Sequence, residues 1–125
     1  MPRKRRHRLR IDAQVDDSTL IELDTKQHFS SARLSTFPFY EGMQHDLDLE
    51  KYRELCSQYG EAADRSQRTR EAVGFAFPGG RIAQRAYFDA CKDLLAAAYG
   101  YRLIRIPILD GEFTSEARLA LKTLL

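Results

Sequence analysis

Glu22, Asp24, Lys26 and His28 occupy alternate positions of the segment IELDTKQHF, residues 21–29. Two carboxylates that share one face repel each other, and a divalent cation ligated between them removes that cost. Hard carboxylate oxygens suit Mg2+ or Mn2+, and such an ion activates water and clamps a phosphoryl oxygen. Lys26, or Lys92 further along, is a candidate to stabilise the charge of the transition state, and His28 to relay a proton. The same acids would equally decorate the solvated face of a hairpin, and their spacing alone does not choose.

The elements that must position these residues follow from hydrophobic period. In RLRIDAQV, residues 8–15, Leu9, Ile11, Ala13 and Val15 alternate with Arg8, Arg10, Asp12 and Gln14, as in a half-buried strand. DDS, residues 16–18, is turn chemistry, and TLIELDT then places Ile21 and Leu23 on one face and Glu22 and Asp24 on the other. The pair predicts an antiparallel hairpin. If its faces match, Asp12, Glu22 and Asp24 project to one side as a three-acid metal set. Residues 30–47 lack a period and predict a loop carrying Phe37, Phe39 and Tyr40.

From Asp48, a candidate N-cap, Tyr52, Leu55, Cys56 and Tyr59 recur at helical spacing and predict a helix ending near Gly60. Residues 61–71 are charged and aperiodic and stay unassigned. After the break FPGG, residues 77–80, a helix groups Tyr87, Cys91, Leu94, Leu95 and Ala98 on an apolar face, with Arg81, Arg85, Asp89 and Lys92 opposite. Gly100 stops it, YRLIRIPI follows as an interior strand, and a last helix from about Ser115 groups Ala117, Leu121, Leu124 and Leu125. The order predicts an α/β (α+β) fold, a small mixed sheet with an N-terminal hairpin flanked by helices. The GGR opening of the later helix offers free N–H groups beside Arg81 and Arg85, either a phosphate contact or a plain turn with solvated arginines.

LIELDTKQHF, then QRAYFDACKD on a helix, then the strand YRLIRIP, resembles the very-short-patch-repair-like and EDxHD branches of the PD-(D/E)XK nuclease superfamily. The resemblance covers roughly residues 9–107 in order and spacing. It implies a restriction-endonuclease-like core and a Mg2+- or Mn2+-dependent DNA endonuclease. By position it implies a metal held chiefly by Asp12 and Asp24 with Glu22 close by, and His28 as acid or base. Asp89 would orient His28 or Lys92, and Lys92 would contact water or phosphate. Two positions depart from the pattern: Thr25 stands at the usual glycine and Asp24 at the usual lysine, so the lysine comes from Lys26 or Lys92. A catalytically inactive nucleic-acid-binding module of the same fold is the alternative.

Composition fits one domain of 125 residues, expected over 9–125 behind a basic tail at 1–8. Residues 1–10 carry six Lys or Arg and no acid, so the net charge of +2 hides a balance of −4 in the remainder. Arg3, Lys4, Arg5 and Arg6 are expected to track a phosphate backbone, with RNA as well as DNA open as a partner, or to serve as a nuclear address. No apolar run reaches the roughly 18 residues of a membrane span, which points to a soluble intracellular protein of cytoplasm or nucleus. Cys56 and Cys91 fall on apolar helix faces and are expected as reduced, buried thiols; with irregularly spaced histidines they make no zinc site. A chain this short is expected to dimerise or to take a recognition partner.

Overall fold

The computed structural model describes residues 10–67, 69–72, 74–109, 112–113, 118–119 and 122. Strands β1 (Ala13–Asp16) and β2 (Thr19–Asp24) form an antiparallel hairpin with Ala13 opposite Ile21 and Gln14 opposite Leu20. The turn between them closes when the Ser18 amide donates to Asp16 Oδ1 at 2.9 Å. Three helices follow: α1 (Ser31–Thr36), α2 (Leu49–Gln67) and α3 (Gly80–Ala98). The chain then returns as β3 (Arg102–Leu109), parallel to β2, and β4 (Glu112–Phe113) pairs antiparallel with β3. The result is a mixed α/β fold around a small mixed sheet in the order β1-β2-β3-β4.

Register decides which side chains meet. Glu22 pairs with Arg105 and Asp24 with Pro107, while Leu23 pairs with Ile106. Alternation therefore sends Ile21, Leu23, Ile104 and Ile106 to one face, where they cluster. Glu22, Asp24 and Arg105 go to the other, under the helices. The main apolar core, Phe29, Phe37, Tyr40, Leu47, Tyr52 and Cys56, fills the helix side, with Leu94 and Leu109 packed against it.

Several local expectations change. The first strand starts at Ala13, and all four of its residues are exposed, because it is an edge strand that no helix covers. Residues 30–47 include α1, whose N-cap Ser30 accepts from the Arg33 amide at 3.1 Å, and a 3₁₀ turn at Phe37–Tyr40. Gly60 does not stop α2: it is buried inside the helix, where α2 packs on the start of α1 and a Cβ would make only ordinary contact, 3.5 Å from the Ser31 amide nitrogen.

The faces of α3 are also not as expected. Ile82, Ala86, Asp89, Asp93 and Ala96 point inward, while Tyr87 is 54% and Leu95 45% exposed. Small Ala86 and Ala96 let the helix approach the sheet, and the two aspartates find cations there, so the acidic side turns in while Tyr87 and Leu95 of the expected apolar face stay out and its Leu94 packs on the core. Cys56 is buried, but Cys91 is only half-buried. Of the last helix expected from Ser115, Arg118, Leu119 and Lys122 are helical, while Ala117, Leu121, Leu124 and Leu125 and the basic tail at 1–8 lie outside the described residues. Among those residues no helix is long and apolar enough to cross a membrane.

Candidate functional site

Glu22 and Asp24 leave β2 on its helix-covered face, 2% and 0% exposed. A buried carboxylate must be paired, and each acid finds a different cation. Arg105, on the neighbouring strand, donates through Nη1 to Asp24 Oδ1 at 2.8 Å and through Nε to Asp93 Oδ1 at 2.6 Å. Its Nη2 donates to the Asp89 carbonyl at 3.1 Å and lies 3.5 Å from Asp89 Oδ1. Burial works against this guanidinium, yet Asp24, Asp93 and Asp89 together hold it protonated well beyond the ordinary arginine range.

Two tyrosines and a second arginine complete the buried network. Tyr52 Oη donates to Asp24 Oδ2 at 2.7 Å, which uses the oxygen that Arg105 leaves. Arg33 donates through Nη2 to Asp93 Oδ2 at 2.7 Å and through Nη1 to Tyr40 Oη at 2.6 Å, and Tyr40 Oη donates onward to Asp93 Oδ2. Burial and the adjacent carboxylates raise both phenols, so each stays a proton donor.

The edge of the network is more open. His28, in a 3₁₀ turn at Lys26–His28, places Nδ1 2.7 Å from Asp89 Oδ2 and 3.5 Å from Asp24 Oδ1, with 19% of its side chain exposed. Burial pushes the Asp89 carboxyl up, but the His28 hydrogen bond and the Arg105 charge win and hold it below the usual carboxylate range. An ionised Asp89 accepts, so in this pair Nδ1 is the donor. Lys92 Nζ lies 3.3 Å from both Glu22 oxygens. Burial raises the Glu22 carboxyl, with Lys92 opposing and Asp12 adding to the rise.

The acids expected as one metal set are thus divided. Asp12 turns its carboxylate to the backbone, Oδ2 accepting from the Leu23 amide at 2.8 Å, while its own amide donates to Glu22 Oε1 at 3.2 Å. Glu22 belongs to Lys92, and Asp24 to Arg105. Among the described residues, the group whose ligand atoms all lie within 4.8 Å is instead Asp24, His28 and Asp89. Separate cations resolve the carboxylate repulsion that a shared ion was expected to resolve. Lys26 lies over the Tyr59 ring, 5.6 Å from its centroid. Arg81 is exposed and Arg85 half-buried on α3, and Arg3, Lys4, Arg5 and Arg6 lie outside the described residues. Thr25 has φ −79° and ψ 174°, an extended conformation that asks for no glycine.

The Asp24–His28–Asp89 set fits a divalent cation in kind, two carboxylate oxygens and an imidazole nitrogen. Charge agrees. Four buried carboxylates, Glu22, Asp24, Asp89 and Asp93, face three permanent cations, Arg33, Lys92 and Arg105. A bound cation would offset the surplus negative charge. Sequence reasoning missed Arg105, Asp93, Arg33, Tyr40 and Tyr52. Arg105 carried a signal, a charge in the middle of the interior strand LIRIP, and so did Asp93, four residues after Asp89 and hence on its helix face. Comparisons with protein-family models, with curated proteins and with solved structures give no match to this chain.

Proposed function

We propose that the chain is a divalent-cation-dependent DNA endonuclease with a restriction-endonuclease-like core, using Mg2+ or Mn2+. One observation supports this above others: residues 22–28 and 89–92, far apart in sequence, meet in two specific pairs, His28–Asp89 at 2.7 Å and Lys92–Glu22 at 3.3 Å. These are the segments that carry the nuclease resemblance. Asp24, His28 and Asp89 would hold the ion, which supplies Lewis-acid chemistry by polarising a phosphoryl oxygen and making water a better nucleophile. Asp89 fixes the His28 ring. With His28 engaged as a ligand, the proton of the attacking water would leave to solvent as the new P–O bond forms, and the ester P–O bond breaks on the opposite side. Lys92, held by Glu22, faces the negative charge that builds on the phosphorus oxygens. Nicking of supercoiled DNA by the purified chain should require Mg2+ or Mn2+, stop in EDTA, and fall by roughly 10–100-fold or more in His28→Ala, which removes a ligand. Equal nicking by His28→Ala and by the unmodified chain would overturn the assignment.

A second reading is a nucleic-acid-binding module without catalysis. It is favoured by Asp24, whose two oxygens already have protein donors in Arg105 and Tyr52. It expects DNA binding that EDTA leaves unchanged and no heat of Mn2+ binding by calorimetry.

A further inference from the structure

Apart from the Asp24–His28–Asp89 centre, the fold builds a cationic cleft where the loop after α2 meets the start of α3. Arg70, Arg81 and Gln84 line it with Glu71 and Ala72, around a volume of about 420 Å³. Its walls are fixed to each other. The Arg81 amide donates to the Arg70 carbonyl at 3.1 Å and the Gly80 amide to the Phe77 carbonyl at 2.8 Å. A Cβ on Gly80 would fall 1.7 Å from the Phe75 carbonyl oxygen, so the loop lies directly against the helix backbone.

The hydrogen-bond partners of these arginines are neutral. Arg81 Nη1 donates to Gln84 Oε1 at 2.8 Å and Arg85 Nη1 to Gln67 Oε1 at 3.1 Å, both neutral amides. Among the described residues none of Arg70, Arg81 and Arg85 forms an ion pair, although Glu71 lines the same cleft. Burial, then the Arg81 charge, push the Arg85 guanidinium below its ordinary range, with Asp89 opposing and Arg70 adding to the fall. Holding like charges together against a tightly packed loop is unfavourable until an anion joins them.

The helix extends the cleft toward the candidate centre. At 3.6 residues per turn, Arg81, Arg85 and Lys92 fall on one stripe of α3, about 16 Å from first to last. Asp89 and its partner His28 flank that stripe. We propose that Arg70, Arg81 and Arg85 form a track for the phosphodiester backbone of a nucleic-acid strand, leading it along α3 to Lys92 and His28. The track itself rests on the unpaired arginines. Only the identity of its ligand rests on the nuclease reading.

Fluorescence anisotropy of a labelled oligonucleotide in EDTA, titrated across a range of salt concentrations, tests the track without hydrolysis. Every arginine that no longer neutralises a phosphate lowers the log–log salt slope by roughly one, so Arg70→Ala/Arg81→Ala should lower it by roughly two and weaken binding about tenfold or more. Both side chains are exposed, so the double variant should melt like the unmodified chain. Arg53→Ala, exposed on α2, should keep the original slope. An unchanged slope in a folded double variant, or no binding by the unmodified chain at the lowest salt, would overturn the proposal. A lowered slope without Mg2+-dependent nicking removes the hydrolysis and keeps the track; nicking with an unchanged slope does the reverse.

Discussion

Arg105 joins Asp24, Asp89 and Asp93 from a side chain that is 2% exposed. Removing one partner of a buried ion pair leaves uncompensated charge, so Arg105→Met should cost about 3–5 kcal/mol in urea unfolding, and Arg105→Lys should recover little because an ammonium cannot serve three directions. The acid limb of stability has a defined source. Asp89 has a depressed folded value, so its contribution is fully present above the unfolded value near 3.8 and is lost as pH falls through the lower folded one. Glu22 works with the opposite sign: its carboxyl is raised, so its ionisation removes stability as pH rises from 4.5 through the folded value. Urea midpoints between about pH 2 and 6 should therefore drop at the acid end for the unmodified chain and drop less for Asp89→Asn. At this scale the sequence singled out Glu22, Asp24, His28, Asp89 and Lys92, and the resemblance set Asp89 against His28 or Lys92, but neither paired Glu22 with Lys92 or Asp24 with Arg105. A carboxylate's partner depends on register between strands distant in sequence, which local spacing does not contain.

At the scale of elements, α3 depends on how it begins. Gly79 has φ +83° and Gly80 sits against Phe75, so the helix start needs two glycines for two different reasons, backbone conformation and space. Gly80→Ala should lower stability by about 1–3 kcal/mol, read as a lower melting temperature, and should also disturb the cleft beside Arg81. Hydrophobic period revealed β2, β3, α2 and α3 as elements, because each is long enough to repeat. It gave no sign of α1, six residues with no full repeat, and on α3 it misplaced Asp89, Tyr87 and Leu95 while placing Leu94 and Arg81 correctly. Periodicity assumes that apolar residues face the core, and α3 instead buries Asp89 and Asp93 on Arg105.

For the whole molecule, the deciding contact is the parallel pairing of β2 with β3. All three helices lie in the crossover between them, so the Asp24–Arg105 contact closes a loop of the chain that contains α1, α2 and α3. Such a centre should be coupled to global stability. Saturating Mn2+, at about 100 times its dissociation constant, should add about 2.7 kcal/mol by mass action. A thermal melt should show that shift in the unmodified chain and lose it in His28→Ala, each compared with its own EDTA control.

The two thiols differ in a way that makes the protein convenient to observe. Burial pushes Cys56 up to about 12, whereas Cys91 is half-buried on α3, next to Lys92. A maleimide dye at neutral pH should attach at Cys91 well before Cys56, as peptide mass mapping would show. The natural sequence thus carries one addressable label beside the pair Lys92–Glu22. Its emission can report arrival of a strand or an ion without any engineered cysteine.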